Sequence, residues 1–281
     1  MLTLELLLLS VIAIPSSAQV PQSQHVLIVV EENHSYSSVV GNSAMPFLNG
    51  LITRNVLATQ YYANTHPSLG NYFMLTTGRI ITNNTYYSGT VSADNIVRHL
   101  LTAGLTWKAY LEGLPSVGYT GGNSGRYVKH HNPFAYFSDV INSSSERLNL
   151  VPFTQFGRDL NNQLLPNYSF IVPNLCNDAH DCSLATADSW LKRNFTPLLA
   201  NPTFQQSGVL IIVFDESTAT DKAHGGGRVA MVVIGPRAKA NYKSKTFYQH
   251  QSILRLMMQA LSLAPNLGAS SSAPSMAEFF K

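Results

Sequence analysis

Three apolar runs in this chain end abruptly in acids, amides and histidine. Val26-Leu27-Ile28-Val29-Val30 leads into Glu31-Glu32-Asn33-His34. Leu210-Ile211-Ile212-Val213-Phe214 leads into Asp215-Glu216. Tyr168-Ser169-Phe170-Ile171-Val172 is followed by Pro173-Asn174 and then Asp178-Ala179-His180-Asp181. A continuous apolar run of this length reads as a strand buried on both faces, as in a parallel sheet covered by helices. In open α/β sheets, ligands sit outside the carboxyl ends of the strands. Three polar clusters at three such ends are therefore expected to converge on one site. Converging oxygen-rich clusters suit a cation.

The 281 residues are 45% hydrophobic and 12% charged, enough for one sizeable domain, or at most two, with a large core. The low charged fraction suits an exported protein. Leu6 to Ile14 is almost wholly apolar, and Pro15-Ser16-Ser17-Ala18 supplies small residues for cleavage after Ala18. This pattern resembles a signal peptide over residues 1–18. It departs from the usual form because no Lys or Arg precedes the apolar stretch and Glu5 stands there instead; an uncleaved interfacial anchor is the alternative. No later segment approaches the roughly 20 apolar residues of a membrane span. The expectation is a soluble protein, secreted or periplasmic.

Formal net charge is +3, and the basic residues are scattered. That argues against a nucleic-acid partner and is compatible with a small anionic substrate. Oligomeric state is not legible. The two cysteines, Cys176 and Cys182, could close a short loop in an oxidising compartment, or stand as free thiols. A zinc site would need further cysteines that the chain lacks.

Strands are expected at 25–30, 57–62, 106–111, 168–172, 209–214 and 229–234. Helices are expected at 45–52, 68–77, 94–103, 154–164, 187–199 and 252–261, with Gly78 and Gly104 as stops. Residues 113–134, rich in Gly, Asn, Tyr and His, read as a long functional loop. Residues 265–275 read as a loose tail. Alternating strands and helices predict a mainly parallel sheet flanked by helices.

Several residues in this frame can carry chemistry. Ser68 follows Pro67 and opens a helix, where free N–H groups and the positive dipole end welcome a phosphate; taken alone it also fits an ordinary N-cap. Asn71, one turn on, is placed to donate to a phosphoryl oxygen. His224 precedes Gly225-Gly226-Gly227-Arg228, and glycines there let backbone approach a ligand closely. No Lys-Ser/Thr follows, so this is not a Walker motif. Lys129-His130-His131 is the densest basic spot and a candidate anion site. His250, just before the last helix, reads as a cap or a supporting group.

Six blocks carry a resemblance: VVEENHSY (29–36), THPSLGNYFMLTTG (65–78), PNLCNDAHD (173–181), VFDE (213–216), HGGGRVAMVVIGP (224–236) and YQHQSILR (248–255). In this order they resemble the bacterial phosphoesterase family that groups acid phosphatases with phospholipases C of the phosphatidylcholine type, within the alkaline phosphatase-like superfamily. The resemblance implies a three-layer α/β sandwich and a catalytic domain over 19–265, with 266–281 as a C-terminal tail. It implies Ser68 as nucleophile, counting back from Thr77-Gly78, with Thr65 as the nearby competitor. It implies Glu32, Asn33, Asp178, Asp215, Glu216 and His224 as metal ligands.

The wider superfamily commonly has Asp-His where this chain has Asp215-Glu216, and Asp-x-x-x-His where it has Asn174 and Asp178. Fewer histidines make a harder, oxygen-rich site, so calcium, magnesium or manganese competes with the usual zinc pair, and one ion competes with two. The expected activity is metal-assisted hydrolysis of a phosphate monoester through a phosphoserine, with His131, Lys129 or Arg228 adding positive charge or protonating the leaving group. The expected partner is a phosphorylated small molecule or a phospholipid head group. A phospholipase C-like phosphodiesterase, a non-catalytic anion-binding protein and a Ser-His-Asp hydrolase are the alternatives. The last lacks a Gly-x-Ser-x-Gly elbow around Ser68.

Overall fold

The computed structural model describes residues 19–281. The expected signal peptide, residues 1–18, lies outside the described residues. Among the described residues, no helix is long and apolar enough to cross a membrane.

In chain order the elements are β1 (Val26–Glu31), α1 (Tyr36–Val39), α2 (Pro46–Arg54), β2 (Val56–Tyr62), α3 (Leu69–Thr77), α4 (Ile96–Thr102), β3 (Trp107–Leu111), α5 (Ser138–Ile141), α6 (Ser144–Arg147), β4 (Leu150–Pro152), α7 (Thr154–Asn161), β5 (Tyr168–Val172), α8 (Leu184–Ala200), α9 (Pro202–Ser207), β6 (Val209–Phe214), β7 (Met231–Ile234), β8 (Tyr242–Gln249) and α10 (His250–Ala260). The eight strands form one sheet in the order β4-β3-β5-β1-β6-β7-β2-β8. β7 runs antiparallel to both of its neighbours, β6 and β2. The other pairings are parallel, so seven strands share one direction.

Every residue of β1, β5 and β6 is buried, which requires cover on both faces. Helix α3 packs against α10, and α2 against α8. The second pair is tied by Asp188 of α8, whose carboxylate accepts the backbone N–H groups of Phe47 and Leu48 at 2.9 and 2.8 Å. These are free donors of the first turn of α2, so one acid both caps a helix and joins two helices.

The elements expected from sequence are present within a few residues of their expected bounds. Two strands were not anticipated. β4 has three residues, too few for a pattern. β8 reads Tyr-Lys-Ser-Lys-Thr-Phe-Tyr-Gln, and its exposed lysines Lys243 and Lys245 suit an edge strand that must not pair further.

The loose tail is a correction. Leu267, Ser270 and Ala273 are buried within it, and Met276, Phe279 and Phe280 just beyond it. The Glu278 carboxylate accepts hydroxyl hydrogen bonds from Tyr242, Ser244 and Tyr248 of β8, at 2.9, 2.5 and 2.7 Å. The Ser-, Ala- and Pro-rich run leads into an apolar anchor that covers the sheet edge.

Candidate active site

The carboxyl ends of β1, β5 and β6 meet as expected. Beyond β1 the Glu32 N–H donates to the Asp178 carbonyl at 2.8 Å, and the Asp215 N–H donates to the Glu31 carbonyl at 2.9 Å. Backbone bonds thus hold all three acidic segments in register past the end of the sheet. A disulfide between Cys176 and Cys182 closes the loop that carries Asp178.

Ser68 stands at the N-terminal end of α3 in helical backbone conformation, and its side chain makes no capping bond. Its hydroxyl donates instead to Glu32 Oε2 at 3.1 Å. That removes the ordinary N-cap reading. The Leu69 N–H has no acceptor among the described residues, so the helix end offers a donor beside the hydroxyl. Glu32 is held from its other oxygen by the Tyr72 hydroxyl at 2.5 Å, and His131 Nε2 lies 3.4 Å from the same oxygen. The rings of Tyr72 and His131 stack with centroids 5.1 Å apart. His131 Nδ1 faces Asp178 Oδ2 at 3.8 Å.

Asp215 Oδ1 accepts the N–H groups of Glu216 and Asn33, at 2.6 and 3.3 Å. Its carbonyl accepts from His250 Nε2 at 2.6 Å. With Nε2 donating, His250 Nδ1 must accept from the Tyr61 hydroxyl at 2.7 Å, which fixes the tautomer. Burial pushes the His250 imidazole down to about 4. His250 is therefore the supporting group that the sequence suggested.

Burial raises the carboxyls of Glu32, Asp178, Asp215 and Glu216 above the usual range; for Glu32 the neighbouring Asp215 and Asp178 charges add to it, and for Glu216 the Asp215 charge. Asp178 Oδ2, Asp215 Oδ2 and Asn33 Oδ1 are buried without a hydrogen-bond partner. Buried acceptors left unpaired are costly, and several carboxylates together are costlier. Asn33 also sits in the left-handed region, with φ +51°. Orphaned oxygens and neighbouring carboxylates are the donor chemistry of a hard cation. Among the described residues, no three or more His, Cys, Asp or Glu side chains are arranged to hold a metal ion as they stand. Glu32 has its oxygens turned to Ser68 and Tyr72. The donor set fits a cation in chemistry, and Glu32 would have to share those oxygens.

Four expected site residues are placed differently. His224 is exposed, with φ +54°, and its ring packs against Tyr62 and Phe247 at centroid distances of 4.4 and 4.7 Å. It is turned onto this aromatic pair rather than joined to the carboxylates. The glycines after it approach backbone, not ligand. A Cβ on Gly225 would lie 2.0 Å from the Asn64 carbonyl oxygen, and Gly226 donates to the Ala63 carbonyl at 3.1 Å. They press the loop that carries Ser68 into place.

Asn71 is spent on the same loop. Its Oδ1 accepts from Asn64 and Thr65 N–H at 3.0 and 3.2 Å, and its Nδ2 donates to the Thr65 carbonyl at 2.8 Å and to Glu216 at 3.4 Å. It is a positioning residue, not a free phosphate donor. Arg228 lies with its guanidinium over the Tyr36 ring at 3.9 Å and donates to the Thr59 carbonyl. Lys129 lies with its ammonium 4.7 Å from the Tyr136 ring centroid, in a separate cavity.

Sequence reasoning missed Tyr72 and His66. His66 Nε2 donates to the Asp221 carbonyl at 2.9 Å, so Nδ1 faces Glu216 Oε1 at 3.3 Å. The two atoms form a close polar pair beside the turn that carries Ser68, without hydrogen-bond geometry between them. The available signal was position, two residues before Ser68 in the same block. His180 was read only as part of the cluster after β5, with no role of its own. Its N–H donates to Asp178 Oδ1 at 2.8 Å, and its ring lies 6.5 Å from that of His131.

A serine hydroxyl at a helix N-terminus, bonded to one of several buried acids, is compatible with phosphoryl transfer. The family model for phosphoesterases matches residues 42–264. The chain belongs to the phosphoesterase family. It is a hydrolase acting on phosphoric esters. The phosphoesterase is 32% identical over 267 residues to a phosphatidylinositol-3-phosphatase of Mycobacterium tuberculosis, covering 94% of this chain and 85% of the relative. It is 32% identical to a probable acid phosphatase of Kluyveromyces lactis, with 86% and 58% covered. It is 29% identical to an acid phosphatase of Aspergillus fumigatus, with 84% and 54% covered. The chain thus spans little more than half the length of these two fungal relatives. In fold it resembles an alkaline phosphatase superfamily protein of Vibrio parahaemolyticus, with TM-score 0.62 at 13% identity, covering 90% of this chain and 70% of that one. A lipoteichoic acid synthase of Listeria monocytogenes superposes with TM-score 0.62 at 12% identity, covering 90% and 76%. These likenesses bear on fold alone. They agree with the three-layer α/β architecture.

Proposed function

We propose that this phosphoesterase is an exported, metal-dependent phosphomonoesterase that works through a phosphoserine on Ser68. The observation that carries the reading is the 3.1 Å bond from the Ser68 hydroxyl to Glu32, beside orphaned oxygens of Asp178, Asp215 and Asn33. Glu32, Asn33, Asp215, Glu216 and Asp178 would hold one divalent ion, with calcium, magnesium or manganese favoured over zinc by the all-oxygen set. Such an ion neutralises phosphoryl oxygens and lowers the pKa of a coordinated hydroxyl. The disulfide agrees with an oxidising compartment.

The chain's own residues supply the rest. The Ser68 hydroxyl passes its proton toward Glu32 Oε2 and attacks phosphorus, and the bond to the leaving alcohol breaks. Water then cleaves the phosphoserine. Tyr72 keeps Glu32 aimed at Ser68, and the Leu69 N–H faces the anion at the positive end of α3. Burial pushes the His131 imidazole well below its ordinary range, so His131 stacks on Tyr72 as a neutral positioning group, and the leaving-group proton is left to the His66–Glu216 pair. Phosphoryl transfer needs little beyond positioning and electrostatics.

The names of the relatives, acid phosphatases and a phosphatidylinositol-3-phosphatase, favour monoesters. The test compares a soluble phosphomonoester with phosphatidylcholine, before and after exhaustive chelation. Monoester turnover lost on chelation and restored by a divalent ion supports the reading. Preference for the lipid diester would reassign the enzyme as a phospholipase C. Full activity after chelation would remove the metal.

A further inference from the structure

Beside the carboxylate site lies an open cavity of about 550 Å³ that the phosphoryl chemistry does not use. One wall is Thr85, Tyr86, Tyr87 and Ser88, from the segment after α3. The other is Gly121, Gly122, Asn123, Lys129, His130 and Tyr136, from the segment after β3. The cavity's lining stops at His130, whose ring neighbours the buried His131 of the reaction centre. The rings of His130 and His131 meet edge-on at 4.6 Å, and His131 lies 3.4 Å from Glu32, the acceptor for Ser68. The wall after α3 is held to the nucleophile's helix as well. A Cβ on Gly70, two residues after Ser68, would lie 2.3 Å from Asn83 Oδ1, so that segment packs onto the first turn of α3.

The lining has a definite chemistry. The side chains of Thr85 and Ser88, the Tyr86 hydroxyl, the Asn123 amide nitrogen, the Lys129 ammonium and the His130 ring make no hydrogen bond to another group among the described residues. The three hydroxyls and the imidazole both donate and accept, as the hydroxyl groups of a polyol do, and Lys129 and Asn123 add further donors. Tyr86 is 91% exposed and offers a free aromatic face at the mouth. Tyr87 and Tyr136 are stacked on each other, and Lys129 sits over Tyr136, which fixes the floor. The volume falls within the range of small-ligand sites. A flat apolar face with hydroxyl partners around it recognises a hydroxylated ring, and a short acyclic alcohol would leave most of the cavity as water.

We infer that this cavity is the leaving-group subsite of the phosphoesterase, and that it selects esters of ring polyols, sugars or cyclitols, over esters of short acyclic alcohols. The inference rests on the phosphoesterase reading and adds the alcohol that the enzyme prefers. Lys129, expected from sequence to bind substrate, then binds the leaving alcohol instead of the scissile phosphate.

Gly122 gives a clean way to close the cavity. A Cβ there meets nothing within 4 Å, and its backbone is not in the left-handed region, so Gly122→Trp fills space without strain. The probes are inositol 1-phosphate and glycerol 3-phosphate. Their affinities are measured by calorimetry in a Ser68→Ala background, and kcat/KM is measured in the enzyme with Ser68 intact. The inference predicts that the ring ester binds about tenfold tighter than the acyclic one, a discrimination within reach of one well-matched pocket. Gly122→Trp reduces that ratio to about one, and Tyr86→Ala reduces it roughly threefold or more. The kcat/KM ratio of the two esters falls in parallel. Equal affinities in the parent, or a ratio unmoved by Gly122→Trp, would overturn the inference. Turnover of neither ester by the enzyme with Ser68 intact would count against the phosphoesterase mechanism, while calorimetry still decides the subsite.

Discussion

The Ser68 hydroxyl donates to Glu32 Oε2 across 3.1 Å, linking the start of α3 to the end of β1. The two residues are 36 positions apart, and both are buried. The contact depends on Tyr72, which holds the second oxygen of Glu32 from one turn further along the same helix.

Tyr72→Phe therefore tests whether aim matters. The ring remains to stack on His131, and only the hydroxyl is lost. The expected outcome is a fall of about tenfold in kcat with KM little changed, because the group lost acts on orientation in the transition state. Melting temperature should move little. Steady-state kinetics beside a thermal melt checks both.

The orphaned oxygens of Asp178, Asp215 and Asn33 should make the chelated protein less stable than the loaded one. A ligand that binds only the folded state stabilises it by about 2.7 kcal/mol at a hundredfold excess over Kd. Thermal melts of chelated protein titrated with calcium, magnesium, manganese or zinc should show a saturable rise for at least one of the first three. Glu32→Gln should abolish that rise. A flat response to all four would remove the cation.

The Cys176–Cys182 bridge closes a short loop around Asp178 and should stabilise by about 2 kcal/mol, as expected for a loop of this size. Replacing both cysteines with serine should lower the melting temperature by roughly 4–8 °C for a domain of this size. Activity should fall too, because the Asp178 carbonyl anchors Glu32. Reduction of the parent protein should reproduce both effects.

Acid stability should depend on Asp159, remote from the site. Burial alone would raise its carboxyl, but bonds from Lys108, Tyr110 and Gln155, at 2.6, 2.7 and 2.9 Å, outweigh that and hold it below the usual range. An acid with a depressed folded pKa adds stability that is complete above the unfolded value near 4, and that is lost as pH falls through the folded value. Asp159→Asn should cost about 1–3 kcal/mol at pH 7 and flatten the pH dependence of stability below about pH 4. Denaturant melts from pH 7 to 3 would show it.

Much of this was legible because buried parallel strands leave a strong apolar signature with polar ends. β1, β5 and β6 announced both themselves and the site. Ser68 was marked by its place after Pro67 at a helix start, and the family resemblance counts back to it from the stop at Gly78, which adopts φ +67°. What failed was contact between distant segments. His224 and Gly225–Gly227 look like a ligand loop in sequence, yet they press on residues 63–65 and on an aromatic pair. Asn71 looks free, yet its amide is consumed by the turn before Ser68. His66 looks like a lead-in to Pro67, and only the fold brings Glu216 to it. Edge strand β8 was hidden by the lysines that keep it from pairing further.

The central claim is that Ser68 carries the phosphoryl group. Acid quench of the enzyme during turnover of a radiolabelled phosphomonoester, followed by peptide mapping, tests it directly. The account predicts acid-stable label on the peptide containing Ser68, with none in Ser68→Ala and turnover reduced about a thousandfold or more in that variant, as when a nucleophile is removed. Label on histidine, or a Ser68→Ala enzyme that still turns over at the parent rate, would contradict it.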